Sequence, residues 1–251
     1  MCVLQTGMGS ETKPSKAERT RAAILAAALE LFRQQGFAAT TMREVAERAS
    51  VAVGAAYYHF RTKDEILYAF YESLHDRYEE EALLAIDSSR DITTRVQGVV
   101  KAKLRVCAGY QELLGQLASH ALIPRSELSP FSRSSAPLRR REIAIFQRVI
   151  HDSTLASAPS LTPHLPRLLW VYQMAIVSYW INDRSKNRSK TDTLASLSLS
   201  LLVRLLSATR LPIVRQANGA ILAVLELFAE APLPANDSDF QEPAQTGSDA
   251  A

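Results

Sequence analysis

TTMREVAERASVAVGAAYYHF, residues 40–60, holds two short helical patterns with a break between them. Thr40 and Thr41 can cap the first, whose Met42, Val45, Ala46 and Ala49 recur at three- and four-residue spacing. Ser50-Val51-Ala52 interrupts it, and a second helix is predicted from about Val53 to His59. That helix runs into four consecutive rings, Tyr57 to Phe60. A core segment does not normally carry Tyr-Tyr-His, and a solvated loop does not concentrate rings in this way. At about 100° per residue, Ala56 and Phe60 share one face, Gly54 and Tyr58 point the opposite way, and Ala55 and Tyr57 lie on the flanks. One face is therefore expected to pack and the other to meet something outside the fold.

The flanks extend the pattern. Ser15 and Glu18 fit a capping box that starts a helix running to about Gln35, with Ile24, Leu25, Ala28, Leu31 and Phe32 on its apolar face. Gly36 follows where a left-handed residue belongs. Thr62 and Glu65 read as another capping box, opening a helix with the stripe Ile66, Leu67, Phe70, Leu74 and Tyr78. Three short helices within 15–62, the last two joined by a tight turn, have the arrangement of a helix-turn-helix. Small residues at Gly54 and Ala55 would let the backbone approach base edges. The hydroxyls of Tyr57 and Tyr58, together with His59 and Lys63, can reach phosphates. Thr40, Thr41 and Arg43 can hold phosphates from the start of the preceding helix.

The rest of the chain also reads as helix, at 91–107, 109–122, 136–156, 164–184, 190–209 and 212–230, with prolines near the boundaries. The fold class expected is all-α. Residues 1–14 and 231–251 read as disordered, the second acidic and proline-containing; 15–62 form the helix-turn-helix unit and 63–230 a larger helical domain. Of the 251 residues, 47% are hydrophobic and 22% charged, as in soluble globular proteins. A net charge of +3 permits nucleic-acid binding without demanding it. Cys2 and Cys107 lack metal-site spacing and read as free thiols. The N-terminus does not look like a signal peptide. The most apolar stretch, LLWVYQMAIVSYWI at 168–181, is too short and too interrupted to span a bilayer. A cytoplasmic protein is expected. There is no HExxH, GxSxG, paired-carboxylate motif or dinucleotide fingerprint, which argues against an enzyme, and no cofactor or metal is called for.

The combination AAxxLFxxxGF at 27–37, the quoted 40–60 stretch and the trailing TKDEIL resembles the DNA-binding domain of TetR-family transcriptional regulators, over about Thr20 to Leu67. The resemblance implies that Tyr57, Tyr58 and His59 contact DNA backbone or bases and that Lys63 contacts phosphate. Around the turn, where the family often has Gly, Ser and a basic residue, this chain has Ser50, Ala52 and Val53, and Ala56 stands at a common Leu or Ile position. A hydroxyl cap and a charge are thus missing, which shifts the helix toward apolar contact, for example of Val53 with thymine methyls.

The resemblance further implies a helical C-terminal domain that binds a small ligand and forms a homodimer through its last two long helices, here 164–184 and 190–209. Leu194, Leu197, Leu201, Leu202 and Leu205 supply an apolar stripe. Two recognition helices about 34 Å apart would read a palindromic double-stranded operator. Candidates for the ligand pocket are Tyr110, Leu113, Leu117, Phe146, Trp170, Gln173, Met174 and Trp180, although side chains of this kind at helical spacing also make ordinary core. No buried charge announces a ligand class, and Arg133 with Arg139-Arg140-Arg141 reads as a solvated helix start. The function implied is a repressor released by an unknown ligand. The alternatives are an activator of the same family or a helical interaction protein with weakened DNA binding.

Overall fold

The computed structural model describes residues 15–121, 129–155, 157, 159–210 and 219. The expectations for 1–14, for a helix over 212–230, for the tail from 231 and for part of the 124–137 loop lie outside these residues. Every element among the described residues is helical: α1 Lys16–Gln35, α2 Met42–Arg48, α3 Val53–His59, α4 Lys63–Asp87, α5 Ile92–Cys107, α6 Gln111–Ala121, α7 Ala136–Ile150, α8 Leu165–Asn182 and α9 Ser189–Ala208.

Local chemistry sets the starts of the first helices. Ser15 and Glu18 form the expected capping box on α1, and Thr41 with Glu44 forms one on α2. At α4 only half of the expected box exists. Thr62 accepts from the Glu65 amide at 3.2 Å, but the Glu65 carboxylate turns back one residue further and accepts from the Arg61 amide at 2.7 Å. Gly36 ends α1 with φ 86 and ψ 157, so its φ is positive as expected while its ψ is extended.

The turn between α2 and α3 is a Schellman-type C-cap. The Val51 amide donates to the Ala46 carbonyl and the Ser50 amide to the Glu47 carbonyl, both at 3.0 Å. Its left-handed residue is Ser50, φ 56. The third helix then begins at Val53, preceded by Ala52, which offers no side-chain cap.

Further along, α5 is capped by Asp91, whose carboxylate accepts from the Thr94 amide at 2.8 Å. A short 3-10 segment, Ala108–Tyr110, bends the chain from α5 into α6. The seventh helix stops at Ile150, short of the 156 expected, because His151 leaves helical geometry (ψ 128) and Asp152 takes a left-handed φ of 55. Between α8 and α9, the Asp183 carboxylate accepts from the Ser185 and Thr191 amides and from the Thr191 hydroxyl, at 2.6–2.9 Å. These bonds, the Thr191 hydroxyl foremost, hold its carboxyl well below the usual range.

One continuous core joins the two halves. In the N-terminal unit, Ile24, Ala28, Phe32, Val45, Ala46, Ala56 and Phe60 are buried, and the start of α4 adds Ile66, Leu67 and Phe70. The same helix continues into the larger domain through Leu74, Tyr78, Ala82 and Ile86. There it packs closely on α5: a Cβ at Gly98 would stand 2.8 Å from the Ala85 Cβ. This helix runs continuously from the N-terminal unit into the larger domain.

Candidate nucleic-acid interface and domain interior

The wheel drawn for α3 is the one observed. Ala56 is fully buried and Phe60 is 2% exposed, with the Arg21 guanidinium over the Phe60 ring at 4.7 Å. The opposite side is open: Tyr58 is 85% exposed and Tyr57 50%. Val53 and Gly54 are also exposed, and Ala55 and His59 are partly so. The His59 ring stands edge-on to Tyr58, with centroids 5.3 Å apart, which limits the freedom of an otherwise bare tyrosine. Thr41 and Arg43 are exposed at the start of α2.

Two of the expected contact residues are engaged inside the protein. Thr40 is 1% exposed, and its hydroxyl donates to the Gly36 carbonyl at 2.9 Å, so it braces the link between α1 and α2. The neighbouring threonine takes the surface position because its cap pairs with Glu44. Lys63 donates to the carbonyls of Phe37 and Ala38, at 2.8 and 3.2 Å, and lies over the Phe37 ring at 4.9 Å. Its ammonium ties the head of α4 to the same link, a tertiary contact that its sequence position does not reveal.

Of the residues expected to line a ligand pocket, Leu113, Leu117, Phe146, Trp170 and Gln173 are at most 2% exposed and packed. Tyr110 is half-buried, edge-on to Phe70 at 4.9 Å, and Met174 packs at the margin of the core. At the centre is a polar cluster absent from the sequence reading. The Glu142 carboxylate on α7 pairs with the Lys103 ammonium on α5 and accepts from the Trp170 indole on α8 at 3.0 Å. It also lies 3.6 Å from Nδ1 of the buried His75 on α4. The Tyr78 hydroxyl donates to Gln173 Oε1 at 2.9 Å, and Lys103 lies over the Tyr78 ring.

The expectation of no buried charge is therefore corrected: one carboxylate ties four helices together. Burial pushes the Glu142 carboxyl up, but Lys103 and His75 outweigh that and hold it at about 2. Burial, reinforced by the nearby Glu142 charge, keeps the Tyr78 hydroxyl protonated. A signal existed, since Glu142 falls on the apolar stripe of Ile145, Phe146 and Val149 at helical spacing. The arginines nearby are not merely solvated. Arg141 donates to Asp76 and Glu79 at 2.7 and 2.9 Å, and Arg139 to the Pro130 carbonyl at 2.7 Å.

On α9 the stripe is exposed: Leu194 37%, Leu197 67%, Leu201 58% and Leu205 57%. The stretch Lys186–Ala208 is long and apolar enough to cross a membrane by length and composition alone.

The sequence pattern described as "Bacterial regulatory proteins, tetR family" matches residues 24–70, and that of the "Tetracyclin repressor-like, C-terminal domain" matches 95–218. The chain is 32% identical over 96 residues to the HTH-type transcriptional regulator HbdR of Aromatoleum, covering 38% of each chain. It is 30% identical over 127 residues to the HTH-type transcriptional repressor KstR2 of Rhodococcus jostii, covering 47% of this chain and 61% of that one. The matches thus span less than two thirds of these relatives. In fold, the chain is similar to a TetR transcriptional regulator from Nitrosomonas europaea, with a TM-score of 0.55 at 21% identity over 73% of this chain and 97% of that one.

Proposed function

Because this chain belongs to the TetR family of bacterial regulatory proteins, we propose that it is a homodimeric repressor, released from a palindromic DNA operator by a small-molecule ligand. The observation that carries the reading is the division of α3 into a buried face, Ala56 and Phe60, and an open face bearing Tyr57 and Tyr58. Two rings kept largely in water, Tyr58 touching only the edge of the neighbouring His59 among the ring contacts of the described residues, have a use if they meet a groove. The tyrosine hydroxyls and His59 suit phosphate oxygens, and Val53, Gly54 and Ala55 suit close approach and thymine methyls. Thr41 and Arg43 hold the backbone from the start of α2. Lys63 acts through the α1–α2 link that it braces.

One short helix reads few bases, so a dimer is needed for a specific site. The leucines of α9 supply the surface. Being 37–67% exposed in the protomer, each contributes about 0.5–2 kcal/mol on burial against a second copy. Tyr172 on α8 donates to the Ala195 carbonyl at 2.8 Å, which fixes the register of the two helices that would meet that copy. The ligand acts by preferring one separation of the two α3 helices over another, and shifts the balance only by its differential affinity for the two states. The protein works in the cytoplasm, where the operator is.

The test is selection of genomic fragments by the purified protein at physiological salt. The expected result is a shared inverted repeat with half-site centres about 34 Å apart, and derepression of the adjacent genes when the protein is removed. Failure of any sequence to be enriched over random fragments overturns the reading.

A further inference from the structure

A cleft of about 650 Å³ opens between the C-terminal half of α5, the end of α8 and the connection into α9. Leu104, Ala108 and Trp180 form its apolar part, while Lys101, Arg105, Arg188 and Asp192 supply its charges. Arg105 is held by Glu81 at 2.9 Å. No ion pair within 4.0 Å engages Lys101 or Arg188 among the described residues; the Arg188 guanidinium lies over the Trp180 ring, 5.0 Å from its centroid. Arg188 is placed there by an unusual backbone: it and Asn187 both take left-handed angles, φ 54 and 53, which residues with a side chain rarely adopt.

Three cations against one carboxylate, beside an indole and an aliphatic wall, make a chemically directed site. Apolar surface supplies affinity for a ligand body, and unpaired cations supply its orientation. We infer that this cleft binds a small organic anion, its carboxylate or phosphate held by Lys101 and Arg188 and its apolar body set against Leu104 and Ala108, over the edge of the largely buried Trp180. The site is separate from the packed interior around Phe146, Trp170 and Gln173. As an effector site it rests on the regulator reading above. The cleft joins α5, which packs on the linking helix α4, to the start of α9, which carries the exposed leucines, so an occupant bears on both the link and the dimer surface.

The test uses the full chain without DNA, so that its outcome is independent of operator binding. Calorimetry and tryptophan fluorescence follow titration with 2-naphthoate, 2-naphthyl phosphate and the neutral 2-naphthol. The expected result is saturable binding of at least one anion, about tenfold tighter than 2-naphthol, with the better anion telling carboxylate from phosphate. Lys101→Gln, at an exposed position, and Arg188→Gln, at a half-buried one, each weaken that anion about tenfold. Equal affinity for 2-naphthol, unchanged affinity in both variants, or no saturable binding of either anion up to about 5 mM overturns the assignment. The comparison of anion with neutral analogue on the unaltered protein needs no variant to fold.

Discussion

Replacing Glu142 with alanine removes the carboxylate on which four helices converge. The Lys103 ammonium, whose side chain is 12% exposed, loses its only ion-pair partner among the described residues. The Trp170 N–H loses its acceptor, and His75 loses the carboxylate 3.6 Å from Nδ1. Stranding one partner of a buried ion pair costs about 3–5 kcal/mol, and an unmet buried N–H about 1–3 kcal/mol. The losses share one site and do not add, so the expected total is about 3–5 kcal/mol. With a urea slope of about 2–3 kcal/mol per molar, the unfolding midpoint falls by about 1–2.5 M.

The assay is urea unfolding followed by helical circular dichroism, at one fixed protein concentration because the proposed association would contribute to stability. Replacing both partners, with Glu142→Met and Lys103→Met together, should recover more than half of the loss, since it strands no charge. The pH dependence has a definite sign. Glu142 has a folded value of about 2 against an ordinary 4.5, so its contribution is complete above pH 4.5 and is lost as pH falls from there toward 2. The alanine variant should lack that share of the acid destabilisation. A loss below about 1 kcal/mol, or a double variant worse than the single one, would refute the reasoning.

Other perturbations test separate parts. Ser50→Gly relieves a left-handed serine and should stabilise the protein by about 1 kcal/mol, while Ala52→Ser supplies the missing cap on α3 for a similar gain; thermal unfolding reads both, and a drop in midpoint for either contradicts the turn geometry. Gly98→Ala should cost about 1–3 kcal/mol despite the better helix propensity of alanine, because its Cβ would meet the Ala85 Cβ at 2.8 Å; Ala85→Gly in the same chain should return part of it. Leu197→Asp with Leu201→Asp should convert the proposed dimer to monomer in sedimentation, with circular dichroism unchanged, since both side chains are more than half exposed in one protomer.

What the sequence made legible was mostly local. The caps at Ser15 and Thr41 depend on residues three apart, and the two faces of α3 follow from helical period alone. The end of α7 was misplaced because Asp152 adopts a left-handed angle that its type tolerates but does not announce. Thr40 and Thr41 are equivalent in a sequence; only Glu44 on one side and the Gly36 carbonyl on the other divide their roles. The expected phosphate contact of Lys63 could not anticipate its carbonyl partners, which lie 25 and 26 residues away. The Glu142 cluster draws on α4, α5, α7 and α8, and no local pattern brings those residues together.

The central claim is that the open face of α3 reads DNA. Its most direct test is a fluorescence-anisotropy titration of the selected palindrome with the unaltered protein and with Tyr57→Ala and Tyr58→Ala, repeated on a scrambled duplex. Both side chains project from the surface, so the variants should fold and dimerise normally. The account predicts operator binding weakened about tenfold or more in each variant, with weak binding to the scrambled duplex falling further as salt rises. Operator affinity unchanged in both variants would contradict it.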